Sequence, residues 1–314
     1  MMNMDRRAFL TAAAALAAMP LAASQGEPAP DWGGPVLDTH LHLRAAPDAN
    51  YAHMAGCGVT HAVLLARDTA APQVRAASAS HPGLFAWTAS TDITRAGAEA
   101  ALGRAVADGA VGLGEIKAHV AADGPELRQL YALAAELNVP IMVHFQEVQH
   151  FEGEGLFATG FKQFEAVLKA FPRTRFIGHA DAFWANVSAD YANDVDYPSG
   201  PIVRGGITDK LLGDYPNLFG DLAANSGNNA LSRDPAFTRD FLKRHQDKLI
   251  FGSDCACADG RGAGVSQAHN PRAARLAGKC VARETLTLLK GASAPDVFRK
   301  LTWTNARQLF RLGV

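Results

Sequence analysis

Short apolar runs alternate with segments of helical periodicity along most of the chain. The runs fall at 35–43, 60–66, 84–90, 111–118, 140–145, 175–180, 217–222 and 248–253, each the length of one strand. Between them, 96–107, 125–137, 161–170 and 235–244 carry apolar residues at three- and four-residue steps, the period of a helix with one buried face. A near-continuous apolar run suits a strand covered on both faces, and strands alternating with helices pair in parallel through right-handed crossovers. Eight such units close naturally on themselves, so the pattern predicts an α/β fold, a single (β/α)8 TIM barrel over 35–314. A last helix is expected with Ser293 as its cap, Asp296 three residues on, and Val297, Leu301 and Leu309 on its apolar face.

An open sheet binding a dinucleotide fits less well. Gly112-Leu113-Gly114 lies inside the fourth run and Gly262-Ala263-Gly264 follows no strand directly, so the phosphate turn is missing. The long connections follow the sixth and eighth runs. One, 181–206, holds Trp184, Tyr191 and Tyr197 among Asp190, Asp194 and Asp196; the other, 255–279, is rich in glycine and small residues. In a barrel, loops after the strands lie on the catalytic face.

Composition narrows the partners. The 314 residues are 48% apolar and 19% charged, enough for a core that buries roughly 75% of the unfolded surface without help from a metal or disulfide. A net charge of −1 with no charged block argues against nucleic acid and against a grip on anionic membranes. Cys57, Cys255, Cys257 and Cys280 are too scattered for a disulfide scaffold. The Cys255-x-Cys257 pair lacks the usual spacing of a metal clip and reads as small residues in a loop.

Residues 1–24 read as a signal peptide: Arg6-Arg7 precede an uncharged, alanine-rich stretch at 11–23. That stretch is too short to span a bilayer, so no stable membrane anchor is expected. Paired arginines before Phe9-Leu10 resemble the twin-arginine signal, with Asp5 and Thr11 departing from its usual residues. The resemblance implies the twin-arginine export machinery as a partner, cleavage after Ala23 or Ser24, and a periplasmic protein that takes up its metal before export.

Polar residues at strand ends carry the chemistry. In Asp38-Thr39-His40-Leu41-His42, residues two apart share a face, so His40 and His42 point together into the barrel while Leu37 and Leu41 face the helices. Two solvated histidines would read the same way. The other strands weigh against that: His144, His179 and Asp254 each end an otherwise apolar run, and a barrel brings such ends onto one ring. Their nitrogen and oxygen donors suit zinc above all, with manganese, iron or nickel as further candidates. In the fourth strand Glu115 and Lys117 alternate inward; they form either a buried ion pair, or a ligand (Glu115) beside a lysine that holds an anionic substrate group or bridges two ions as its carbamate. Asp38 is expected to bond a ligand or a neighbouring strand, and Asp221 to recognise substrate or serve the structure. His119 is a weaker candidate at the rim, and His53, His61, His81, His150, His245 and His269 read as bystanders.

Taken together, His40-x-His42, Gly114-Glu115-Ile116-Lys117, His144, His179, Gly252-Ser253-Asp254 and the closing segment 298–310 resemble the amidohydrolase superfamily, in particular its amidohydrolase-related branch. The resemblance covers about residue 35 to the C-terminus. It implies that His40, His42 and Asp254 hold the more buried ion. His144 and His179 hold a second; in single-metal members His144 joins the first and His179 orients substrate or water. Asp254 also takes the proton of the attacking water. Because this strand offers both Glu115 and Lys117, one ion or two stays open, as does a homo-oligomer. The expected activity is hydrolysis of an ester, lactone, amide or related bond of a small molecule. The rival readings are a metal-dependent, non-oxidative decarboxylase of an aromatic or unsaturated acid, and a periplasmic binding protein without turnover.

Overall fold

The computed structural model describes residues 28–265 and 274–313; the signal-peptide reading and His269 lie outside them. Eight parallel strands are present: β1 Leu37–His42, β2 His61–Arg67, β3 Phe85–Ser90, β4 Gly112–Ile116, β5 Ile141–His144, β6 Phe176–His179, β7 Leu218–Asp221 and β8 Leu249–Ile250. They pair in sequence order, each with the next, as a nearly closed barrel wrapped by helices. Between β8 and β1 the seam is bridged by Thr39 N to Phe251 O (3.0 Å) and Asp254 N to His40 O (2.7 Å). Ser253 N adds a bond to Asp38 Oδ1 (2.9 Å), so Asp38 does bond a neighbouring strand.

Two apolar layers follow from the strand alternation. In β2, Ala62, Leu64 and Ala66 belong to the larger layer beneath the helices, while Val63 and Leu65 join Met142, Ile177 and Ile250 in the smaller one. That inner layer is floored by Ala306, Leu309 and Phe310. Leu37 also packs in it, which corrects the expectation that it faces the helices. The register of β1 shifts between Asp38 and Leu41, so strict alternation fails there while His40 and His42 still share a side.

The helices Pro125–Leu137 and Pro235–Arg244 match their predicted bounds. Both open on proline, whose missing N–H costs nothing in a first turn, and Asp234 caps the second by accepting from Phe237 N. The segment 161–170 divides into a 3-10 turn, Phe161–Gln163, and a helix, Phe164–Ala170. Ser293 is not the expected cap. It ends the preceding helix, Val281–Ala292, and its hydroxyl donates to Leu289 O (2.7 Å). The last helix starts at Pro295 and widens into a π turn at Lys300–Thr304. There the Leu301 carbonyl accepts from Phe251 N (2.8 Å). β8 is therefore shorter than its apolar run, because its next N–H goes to this helix instead of to a strand.

Candidate metal centre

Most of the candidate ligands stand at strand ends, while Asp254, expected to end β8, lies four residues beyond Ile250. His42 ends β1, His144 ends β5, His179 ends β6, and Glu115 lies one residue from the end of β4. Their rings crowd together: centroids are 5.4 Å apart for His40 and His42, 4.3 Å for His40 and His179, and 5.5 Å for His144 and His179. His40 is fully buried, whereas the side chain of His42 is 57% exposed, which sets an inner and an outer edge.

Two sets of donors share this space, His40 with His42 and Asp254, and Glu115 with His144 and His179. Asp254 Oδ1 lies 3.4 Å from His42 Nε2 and 3.9 Å from His40 Nε2. Glu115 stands between the sets. Its Oε2 is 3.8 Å from His40 Nε2 and 3.7 Å from His42 Nε2, while Oε1 is hydrogen-bonded to His144 Nδ1 and lies 3.4 Å from His179 Nε2. From there Glu115 would reach an ion held by either set. The far nitrogen of His144, Nε2, faces Gln146 Oε1 at 2.8 Å, a bond that would hold the ring in place were Nδ1 to exchange its proton for an ion.

The fully buried Asp221, ending β7, orders the inner edge. Its Oδ2 accepts a hydrogen bond from His40 Nδ1 at 2.7 Å and lies 3.1 Å from His179 Nδ1. This fixes the His40 tautomer and turns its Nε2 into the site, where that buried atom has no hydrogen-bond partner. Asp221 is thus a positioning residue for two imidazoles, the structural side of its two expected roles. Gly252 is glycine for the same reason: a Cβ there would stand 2.3 Å from Asp221 Oδ1 and 2.7 Å from His40 Cβ. Gly252→Ala should therefore displace this pair and weaken metal binding about 10- to 100-fold, the usual cost of losing a ligand's outer hydrogen bond. Metal titration checks it; unchanged affinity would remove Asp221 from the site's support.

The field here calls for a cation. Burial opposes protonation of His40, yet Asp221, Asp254 and Glu115 push it up to about 10. Burial likewise opposes charge on Asp254, but His40 and His42 hold it below the usual carboxylate range. Glu115 is lowered further, against its burial, by His144 and His179. An ion among the imidazoles would take the place that protons on His40 fill otherwise, and the donor set fits one.

A cavity of about 380 Å³ opens beside the site, lined by His42, Glu115, Ser90, Thr91 and two cations, Arg67 and Lys117. Lys117 is paired with Glu154 Oε1 at 3.3 Å and rests over the Phe157 ring. Arg67 escaped the sequence reading, although it too ends an apolar strand and the rule that found His144 would have found it. Two presumed bystanders are also placed. His150 bonds the buried Asp181 at 2.9 Å, with its ring 6.4 Å from that of His144. His53 stands among cysteines. His119 stacks on Phe157 with centroids 3.9 Å apart, at the rim.

The sequence profile of the family described as Amidohydrolase matches residues 27–312. No curated protein matches the chain. Among solved structures, the fold is similar to a probable 2-pyrone-4,6-dicarboxylic acid hydrolase from Acinetobacter baumannii (13% identity, TM-score 0.54, 88% of this chain and 100% of that one). It is also similar to a 5-carboxyvanillate decarboxylase from Novosphingobium aromaticivorans complexed with manganese (12%, 0.54, 90% and 97%). A third is a dihydroorotase from Campylobacter jejuni (18%, 0.51, 89% and 84%). At such identities the likeness speaks for the fold.

Proposed function

The chain belongs to the amidohydrolase family, and from that premise we propose that it is a metal-dependent hydrolase of a small substrate bearing an anionic group. The observation that carries this reading is the buried, unpartnered Nε2 of His40, aimed between Glu115 and Asp254. A divalent ion held by His40, His42 and Asp254, zinc by preference, would acidify the attacking water and polarise the electrophile. Glu115, His144 and His179 would hold a second. Asp221 keeps the His40 tautomer in place throughout. Asp254, its side chain 32% exposed, reaches the open side, takes the proton from the attacking water and returns it to the leaving group. Arg67 and Lys117 hold the anionic group in the cavity.

The same two cations would equally orient a carboxylate about to leave as carbon dioxide, so decarboxylation is the second reading. Metal analysis of purified protein, followed by a screen of lactones, esters, amides and aryl carboxylates, separates them. Hydrolytic turnover is the expected result. Release of carbon dioxide, with no hydrolysis, would replace this reading by the second.

We also propose export to the periplasm by the twin-arginine route. A reporter fused to residues 1–25 should leave the cytoplasm, and Arg6→Lys with Arg7→Lys should strand it inside. Unchanged export of the double variant would leave only a general signal peptide.

A further inference from the structure

All four cysteines of the chain converge on one buried spot, although they come from three separate segments. Cys257 Sγ lies 3.3 Å from Cys255 Sγ and 3.4 Å from His53 Nδ1. Cys280 Sγ is 3.8 Å from Cys255 Sγ, and Cys57 Sγ is 3.8 Å from His53 Nε2. One donor atom from each of His53, Cys255, Cys257 and Cys280 lies within 4.8 Å of every other, and all four residues are buried.

Buried thiols can pack simply as small apolar groups. Three sulfurs and an imidazole nitrogen gathered around one point is a more specific arrangement. A tetrahedral ion with metal–sulfur bonds of about 2.3 Å holds its sulfurs roughly 3.8 Å apart, close to the spacings here. The Cys255-x-Cys257 turn is pinned from outside, because Arg44 donates to the carbonyls of Cys255 (2.9 Å) and Cys257 (2.8 Å). Both sulfurs are thereby held toward His53, which makes up for a spacing that sequence alone reads as wrong for a metal clip.

We propose that His53, Cys255, Cys257 and Cys280 form a second metal site, closed and structural, for a thiophilic divalent ion such as Zn²⁺. It is separate from the histidine–carboxylate centre and does not rest on that centre's function. Binding releases three thiol protons to solvent and coordinates His53 through Nδ1, which gives up its contact with the Cys257 carbonyl at 3.0 Å. Cys57 then serves as hydrogen-bond partner to His53 Nε2. The occupied site staples the helix Ala49–Cys57, which follows β1, to the segment just after Asp254. It thus clamps together the two sides of the barrel that supply His40, His42 and Asp254.

The test is cobalt substitution of the whole protein. Cobalt bound by thiolates absorbs strongly in the near ultraviolet through sulfur-to-metal charge transfer, whereas the other centre, which has no sulfur donor, cannot. The expected result is that band in cobalt-replete wild type, together with its loss and the loss of one metal equivalent in Cys257→Ser. If Cys257→Ser does not fold, the wild-type spectrum decides alone. A cobalt-replete wild type without the band overturns the proposal. So does the finding that only two of the four thiols react in denaturant without reductant, which would mean a disulfide in place of the ion.

Discussion

Asp254→Asn is expected to lower turnover by about 10² to 10⁴ in protein that keeps its metal, the usual contribution of a positioned acid–base group. The substitution is chosen to change little else. Asp254 has φ of 46°, a left-handed conformation that asparagine tolerates better than most residues, and its N–H bond to the His40 carbonyl involves only backbone. The amide oxygen can still coordinate from the place of Oδ1, 3.4 Å from His42 Nε2. What disappears is the ability to accept a proton. Steady-state kinetics with parallel metal counts would show this, and activity within a few-fold of wild type at full occupancy would sink the mechanism.

His40→Ala combined with His42→Ala should empty the histidine–carboxylate centre of most of its ion while the barrel stays folded. The exposed His42 contributes little to packing. Losing His40 leaves the buried Asp221 carboxylate short of a partner, at about 1 to 3 kcal/mol. A domain of this size can absorb that cost, with a fall in Tm of several degrees. Circular dichroism and metal analysis together check the outcome, the cobalt–sulfur band reporting separately on any ion at the cysteines. Stoichiometric metal bound without sulfur in the double variant would mean that the ligands are elsewhere.

The barrel and the ring of donors were readable because they rest on short-range rules. An apolar run ending in one polar residue gives both a strand and the direction of its chemistry, which is how His144, His179 and Asp254 could be placed before any coordinates. Partnerships across the ring were not readable. Nothing local to Phe219-Gly220-Asp221 says that its carboxylate meets His40, 181 residues away. The cysteines failed for the same reason: 57, 255, 257 and 280 become neighbours only when the last segment returns to the first. Leu37 and Ser293 failed differently, each through a local irregularity, a register shift in β1 and a helix junction that period counting smooths over.

The bonds across the β8–β1 seam join residues 212 and 215 positions apart. Closing so long a stretch of chain costs more entropy than any neighbouring-strand contact, so the seam is the costliest closure in the barrel. His40 and Asp254 stand on opposite sides of it. A partly folded chain therefore owns every donor but not the constellation, and an ion held by both residues would report that the circle of strands has shut.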